Sequence, residues 1–282
     1  MISRRQILRR PSEFRDPAFS LSHTLLRRLL DSQIRWSYAA ERRLSPALTV
    51  DGYSDFATRI VPAYLKSGQV VYDVGGGKRP YVTAKQKAEF ALTLVGIDID
   101  QAELDRAPAG IYDRTICADV SQLRGDADAD LLICLAVLEH VRDVSAAFTS
   151  IASCLKPGGK ALIFVPSRHA PFARLNLIVP EGLKRRVLYT VYPQSRGHQG
   201  FPSYYDHCTP RDFARLADVS GLRVDDEKLY FVSTYFYALF PAYLLWRLSK
   251  QLIYLFDKRV AAETFAMVLS KPLAAAPGRT HP

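Results

Sequence analysis

The run Val70-Val71-Tyr72-Asp73-Val74-Gly75-Gly76-Gly77-Lys78-Arg79-Pro80-Tyr81 constrains this chain more than any other stretch. An apolar, β-favouring run that ends in an acid and opens into glycines reads as a buried strand feeding a tight turn. A second apolar run, Thr93-Leu94-Val95-Gly96-Ile97, closes on Asp98 about twenty residues further on. In a parallel sheet that spacing puts a glycine turn and a carboxylate on the same carboxyl edge. Glycines let backbone approach a ligand, and the second acid can accept hydrogen bonds from a ribose diol. The pattern predicts an adenosine-bearing ligand.

The rest of the chain keeps the rhythm this start demands. Residues 69–74, 93–98, 114–117 (running on to Asp119), 130–135 and 160–165 read as strands, with a helix over 139–155 stopped by Lys156-Pro157-Gly158-Gly159. Such alternation implies a parallel sheet with helices on both faces. Thr209-Pro210 reads as an N-cap and first-turn proline for a helix over 211–220, ended by Gly221. Sixth and seventh strands follow at 222–231 and 263–270. The expectation is an α/β fold, a Rossmann-like three-layer sandwich around a seven-stranded, mostly parallel sheet. It divides into a basic N-terminal arm and helix (1–50), a main domain (51–271) with insertions at 167–208 and 232–262, and a flexible tail (272–282). In the arm Leu26, Leu30, Ile34 and Tyr38 recur every four residues, predicting one apolar helix face over 21–44.

Charge is placed unevenly. Of the net +10, residues 1–50 contribute ten Arg against Glu13, Asp16, Asp31 and Glu41, whereas residues 51–166 carry twelve basic and fifteen acidic groups. The excess cations thus sit on the arm and the two insertions, which suits a partner bearing negative charge: a phosphorylated substrate, an anionic membrane surface or RNA. Cys117, Cys134, Cys154 and Cys208 show no C-x-x-C spacing and read as buried free thiols of a reducing compartment. Arg4-Arg5 resembles the start of an export signal, but Arg9, Arg10, Glu13, Arg15 and Asp16 interrupt any apolar stretch behind it. The expected location is cytoplasmic, with peripheral contact at the inner face of the membrane as an added expectation.

The second insertion has eighteen uncharged residues between Lys228 and Arg247, at the short edge of a membrane span. Pro241 and several tyrosines interrupt it. Beyond it, Leu244, Leu245, Leu248, Leu252, Leu255 and Phe256 share one helix face, with Arg247 and Lys250 opposite. A lid, a homodimer helix, a helix lying in the membrane interface and a span all fit that pattern.

Three features narrow the ligand. Pro80 stands where a dinucleotide fingerprint has its third glycine, which argues against a pyrophosphate. The third strand ends in Ala118-Asp119-Val120, an acid placed to accept from an adenine amino group. The fourth runs into Leu135-Ala136-Val137-Leu138-Glu139-His140-Val141. With these residues the chain resembles the class I S-adenosylmethionine-dependent methyltransferases over about residues 55–231 plus the seventh strand, most of all bacterial, type 11-like members. The resemblance implies an antiparallel last strand and S-adenosylmethionine as cofactor. It assigns Asp73, Gly75, Gly77, Asp98, Ile99, Asp119, Val120, Leu135 and Ala136 to the cofactor. A nicotinamide-dependent dehydrogenase is the rival, but Tyr81-x-x-x-Lys85 lies too close to the glycine turn to be its catalytic dyad, and both residues read as part of the first helix.

Methyl transfer from a sulfonium needs chiefly a held, in-line nucleophile, and a hydroxyl nucleophile gains from a base. His140, His198 and His207 are the candidates. His207, flanked by Tyr204, Tyr205 and Asp206, is preferred over His198. Some relatives bind a divalent metal through Glu-x-x-Glu-His; here Ala136 occupies the first position, so no metal is expected. The expected reaction is O-methylation of a small molecule or of a glycan- or lipid-linked acceptor. A non-catalytic binding or scaffold protein and an RNA methyltransferase are the other readings. Against nucleic acid, no Asn/Asp-Pro-Pro-Tyr-type motif follows the fourth strand.

Overall fold

The computed structural model describes residues 20–179, 182, 201–233 and 236–273. One seven-stranded sheet organises the main body, in the order β3-β2-β1-β4-β5-β7-β6. Its strands are β1 (Val70–Val74), β2 (Thr93–Asp98), β3 (Arg114–Cys117), β4 (Ala129–Leu135), β5 (Leu155–Pro166), β6 (Arg223–Tyr230) and β7 (Thr264–Ser270). The first five run parallel, and β7 is antiparallel to both β5 and β6. Alternate residues serve opposite faces. Tyr72, Val74, Leu132 and Cys134 pack into one apolar layer, Val71, Leu131, Ile133 and Leu135 into the other. Both faces are covered, so the strands read as continuous apolar runs rather than alternating ones.

Two boundaries differ from expectation. The helix expected over 139–155 is a 3₁₀ turn (Leu138–His140) followed by a helix, Val144–Cys154, that starts where Asp143 accepts a hydrogen bond from Ala146 N. That cap outweighs the apolar periodicity of the preceding residues. The fifth strand, expected over 160–165, starts at Leu155, so Lys156-Pro157-Gly158-Gly159, which follows the helix end as expected, lies inside β5, held by Gly158 N to Lys271 O (2.8 Å) and Lys271 N to Gly159 O (2.9 Å). Cys117, expected buried, is exposed. Among the described residues no helix is long and apolar enough to cross a membrane.

Contacts divide the described residues into two compact units. The smaller joins residues up to Leu44 with residues 236–247, and the remainder forms the larger. Within the smaller unit, α1 (Ser20–Glu41) keeps only the end of its predicted apolar line inward, at Tyr38, and turns a polar line in beside it. Ser37 and Glu41 are buried, whereas Leu30 is exposed. Ser37 Oγ donates to Tyr237 O (3.1 Å), Phe240 N donates to Gln33 Oε1 (2.9 Å), and Tyr38 meets Tyr237 edge-on. Backbone polar groups and aromatic edges select that line, because they need partners that leucines cannot supply.

In the larger unit α2 (Gly52–Asp55), a π-helical turn (Phe56–Ile60) and α3 (Val61–Tyr64) run into one another before β1, and Phe56 packs on Phe164 of β5. The strands alternate with α4 (Ala84–Glu89), α5 (Gln101–Asp105) and α6 (Val144–Cys154). After β5 come α7 (Pro171–Ile178) and, beyond the undescribed part of the first insertion, α8 (Pro210–Val219), capped as predicted by Thr209. The second insertion supplies α9 (Phe240–Phe256), whose residues up to Arg247 count with the smaller unit, and the short α10 (Lys258–Ala261). The α9 helix buries Tyr243 and Trp246 but departs from an ordinary amphipathic helix over the rest of its surface. Its apolar residues Leu245, Leu248, Leu252, Leu255 and Phe256 are exposed, while Arg247 and Lys250 are buried. Lys250 Nζ lies 2.8 Å from Glu263 Oε1.

Candidate active site

The glycine turn sits at the carboxyl end of β1, between the ends of β2 and β4. Gly75 N donates to Ile97 O (2.7 Å), so the turn begins by leaning on β2. Asp73 is fully buried beneath it. Its Oδ2 accepts from Tyr81 N (3.0 Å) and from Tyr112 OH (3.1 Å), while Oδ1 has no hydrogen-bond partner among the described residues. Burial pushes its carboxyl up to about 7, opposed by those two donors. Asp73 therefore anchors the turn from below. Tyr81 does not belong to the first helix as expected, since α4 starts at Ala84 behind a Thr83 capping box. Its hydroxyl instead donates to Leu135 O (2.7 Å), tying the turn to β4.

Gly77 has φ +45°, and a side chain there would come within 2.9 Å of Asp98 Oδ2. The bare backbone and the Asp98 carboxylate thus face each other across the top of β1 and β2. Asp98 is half-buried. Its Oδ1 accepts from Asp100 N (3.0 Å), and burial raises its pKa, with Glu103 and Asp100 adding to the rise. Ile99 beside it is exposed, whereas Val120 lies in the core. Asp119 Oδ1 accepts from the backbone N and the hydroxyl of Ser121 (both 2.8 Å), an Asx turn at the end of the third strand. Lys78 bonds Glu103 (3.0 Å), bracing the far side of the turn.

At the end of β4, Leu135 is buried and Ala136 takes a left-handed φ of +56°, with its N–H donating to Phe164 O (2.8 Å). The Leu138–His140 turn follows. Residues 201–206 return onto it: Tyr204 N and Tyr205 N donate to Glu139 O, and Val144 N donates to Asp206 Oδ2 (3.0 Å). His140 Nδ1 lies 2.9 Å from Pro202 O. A carbonyl only accepts, so Nδ1 carries the proton and Nε2 holds the lone pair. Burial lowers the pKa of this imidazole, which keeps it neutral near pH 7. Glu139, its neighbour, is buried and pushed up to about 8 by desolvation. His207 lies in a left-handed turn with its Nε2 3.7 Å from Asp206 Oδ1. His198 lies outside the described residues.

Sequence patterns alone missed Tyr112 and the burial of Glu139. Tyr112 sits in a loop with no motif around it. Only its hydroxyl's reach to Asp73 and to Gly77 O (3.3 Å) reveals it. Among the described residues no group of three or more His, Cys, Asp or Glu is placed to hold a metal ion.

A glycine cradle with no room for a Cβ, faced by a half-buried carboxylate and an exposed isoleucine, fits a ribose-bearing cofactor. Fold and site together define the class of S-adenosylmethionine-dependent methyltransferases. A family model described as a methyltransferase domain matches residues 39–227, and the chain belongs to that family, with S-adenosylmethionine as its cofactor. It is 24% identical over 167 residues, 57% of its length, to a ubiquinone biosynthesis O-methyltransferase of Thiobacillus denitrificans. The chain spans 67% of that relative's length, about two thirds. An S-adenosylmethionine-dependent methyltransferase of Mesorhizobium loti shares the fold at TM-score 0.51 and 17% identity, over 78% of this chain and 99% of that one. A Haemonchus contortus phosphoethanolamine N-methyltransferase 2, solved with S-adenosyl-L-methionine, does so at TM-score 0.50 and 20% identity, over 85% of this chain and 57% of that one.

Proposed function

We propose that the chain methylates an oxygen of a lipid- or glycan-linked, or small, hydroxylated acceptor. The observation that carries this reading is His140, a neutral imidazole whose Nδ1–H is committed to Pro202 O and whose Nε2 is left basic at the carboxyl end of β4. When bound, S-adenosylmethionine supplies a methyl group already activated on a sulfonium. The residues that would hold it are the Gly75–Gly77 backbone, Asp98 and Ile99 on the ribose side, Asp119 and Val120 on the adenine side, and Leu135 and Ala136 toward the methyl. Asp73 and Tyr81 hold the turn in shape.

In this reading His140 takes the acceptor's hydroxyl proton as the oxygen attacks, and the residues 201–206 that pack on Glu139 keep water from the nucleophile. His207, with Asp206 beside it, is the alternative base. The naming of the curated relatives as O-methyltransferases supports oxygen as the acceptor atom. Titration calorimetry with S-adenosylhomocysteine and with NAD tests the donor site. We expect binding of the former alone, and at least about tenfold weaker binding in Asp98→Ala, the loss of one charge-assisted hydrogen bond. NAD binding, or unchanged affinity in Asp98→Ala, would remove the site assignment.

A further inference from the structure

A second concavity opens at the same carboxyl edge of the sheet, beyond β5 and β7. It has a volume of about 430 Å³, the size of a small-molecule site, and is lined by His169, Arg174, Leu175, Ile178, Lys250 and Ile253 among others. It is tied to the strand ends: Ser167 N donates to Glu263 O (2.9 Å), His169 N donates to Ser167 Oγ (3.1 Å), and Lys250 is paired with Glu263. Lys250 is thus neutralised, whereas Arg174 forms no ion pair among the described residues and is exposed. The groove therefore carries uncompensated positive charge above an aliphatic floor. Burial, and then the charges of Arg174 and Lys250, depress the pKa of His169; Asp212 and Asp257 oppose this.

Both helices that frame the groove also leave apolar residues uncovered beside it. On α7, Leu175 and Ile178 are 58% and 79% exposed. On the second half of α9, Leu252 and Phe256 are 53% and 90% exposed. Leucines presented to solvent along a helix face in this way mark an interaction surface.

We propose that this groove and the adjoining leucine face dock an anionic lipid, its charged headgroup at Arg174 and His169 and its chain along Leu175, Ile178 and Ile253. The inference rests on the methyltransferase reading above and deepens it, since it lets a membrane-held acceptor reach the edge of the sheet where the donor turn lies. Charge complementarity selects the anionic lipid over a zwitterionic one, and the aliphatic floor selects a lipid over free phosphate.

Flotation of the full chain with vesicles of phosphatidylcholine, with and without a third of phosphatidylglycerol, tests this. Capture should rise at least about tenfold with the anionic lipid and fall by a similar factor in Arg174→Glu and in Leu252→Glu, both at exposed positions. Glycerol 3-phosphate should not compete. S-adenosylhomocysteine affinity, measured on each variant, should be unchanged and reports an intact fold. Equal capture by phosphatidylcholine, undiminished capture of both variants, or full competition by glycerol 3-phosphate would overturn the proposal. So would a wild-type dimer that Leu252→Glu converts to monomer without any lipid effect. Lipid capture by a wild-type chain that binds no S-adenosylhomocysteine would instead refute the donor-site reading and leave the groove standing.

Discussion

Gly75 is the residue whose replacement should be felt most sharply at the donor turn. Its φ is +74°, and a Cβ there would lie 2.2 Å from Val137 Cγ2, with the next atoms at 3.4 and 3.5 Å. Gly75→Ala therefore carries two separable costs. Left-handed backbone costs an L-residue about 1–2 kcal/mol, and forcing a methyl into a packed contact costs about 1–3 kcal/mol. The sum, about 2–5 kcal/mol, corresponds to a Tm drop of roughly 5–15 °C in a chain of this size. Only the second cost depends on Val137. Val137→Ala removes the offending methyl, so the double variant should recover about 1–3 kcal/mol relative to additivity, while the backbone cost remains. Scanning calorimetry of the four proteins measures this coupling. Additivity to within about 0.5 kcal/mol would instead show that the turn relaxes without pressing on Val137.

Asp73 and Glu139, with carboxyl pKa values raised to about 7 and about 8, should make stability fall as pH rises from about 4 toward 8. The native state keeps protons that the unfolded chain gives up near pH 4, so their contribution is complete at acid pH and gone above the folded values. Melting from pH 5 to 9 should show that decline, and Glu139→Gln should flatten it and melt higher than wild type above pH 8; a Tm that climbs through this range contradicts it. Tyr112→Phe removes the bonds to Asp73 Oδ2 and Gly77 O and should cost about 1 kcal/mol in denaturant unfolding, without altering the m-value. Nitrogen-15 NMR of the His140 ring should find the proton on Nδ1 in the neutral form and a pKa below that of a free histidine; a protonated Nε2 would leave the proposed base without its lone pair.

The two halves of the sheet edge differ in how far they could be read from the residues. The half around β1 and β2 is built from contiguous motifs. The first strand, its turn and Asp98 are close in the chain, and each needs a particular residue type for a local reason, so their spacing alone placed them. Tyr112 escaped notice because its role depends on a hydroxyl reaching Asp73, 39 positions away, with no local pattern to betray it. The His140 environment is similar: its partner Pro202 stands 62 positions away, brought there only by tertiary packing. Helix boundaries failed where one capping side chain, Asp143, decided the start against a longer apolar period.

The half beyond β5 and β7 was illegible for a different reason. Periodicity defines the two faces of α9, but it cannot say which face is covered. The usual rule would bury Leu248 and Leu252 and expose Lys250. Here Glu263, the residue just before β7, lies fully buried at the sheet edge, and Lys250 lies 2.8 Å from it. A buried carboxylate without a cation costs several kcal/mol, on the order of the stabilisation from burying two or three leucines. Once Glu263 is fixed by its place beside the strand, Lys250 must turn inward, and the leucines must turn out. The exposed apolar face is thus a consequence of the ion pair, and Glu263→Leu combined with Lys250→Leu should leave the fold intact while removing the electrostatic reason for that orientation. If the double variant still docks on anionic vesicles with its leucine face, packing against the strands, rather than the charge pair, sets the helix's rotation.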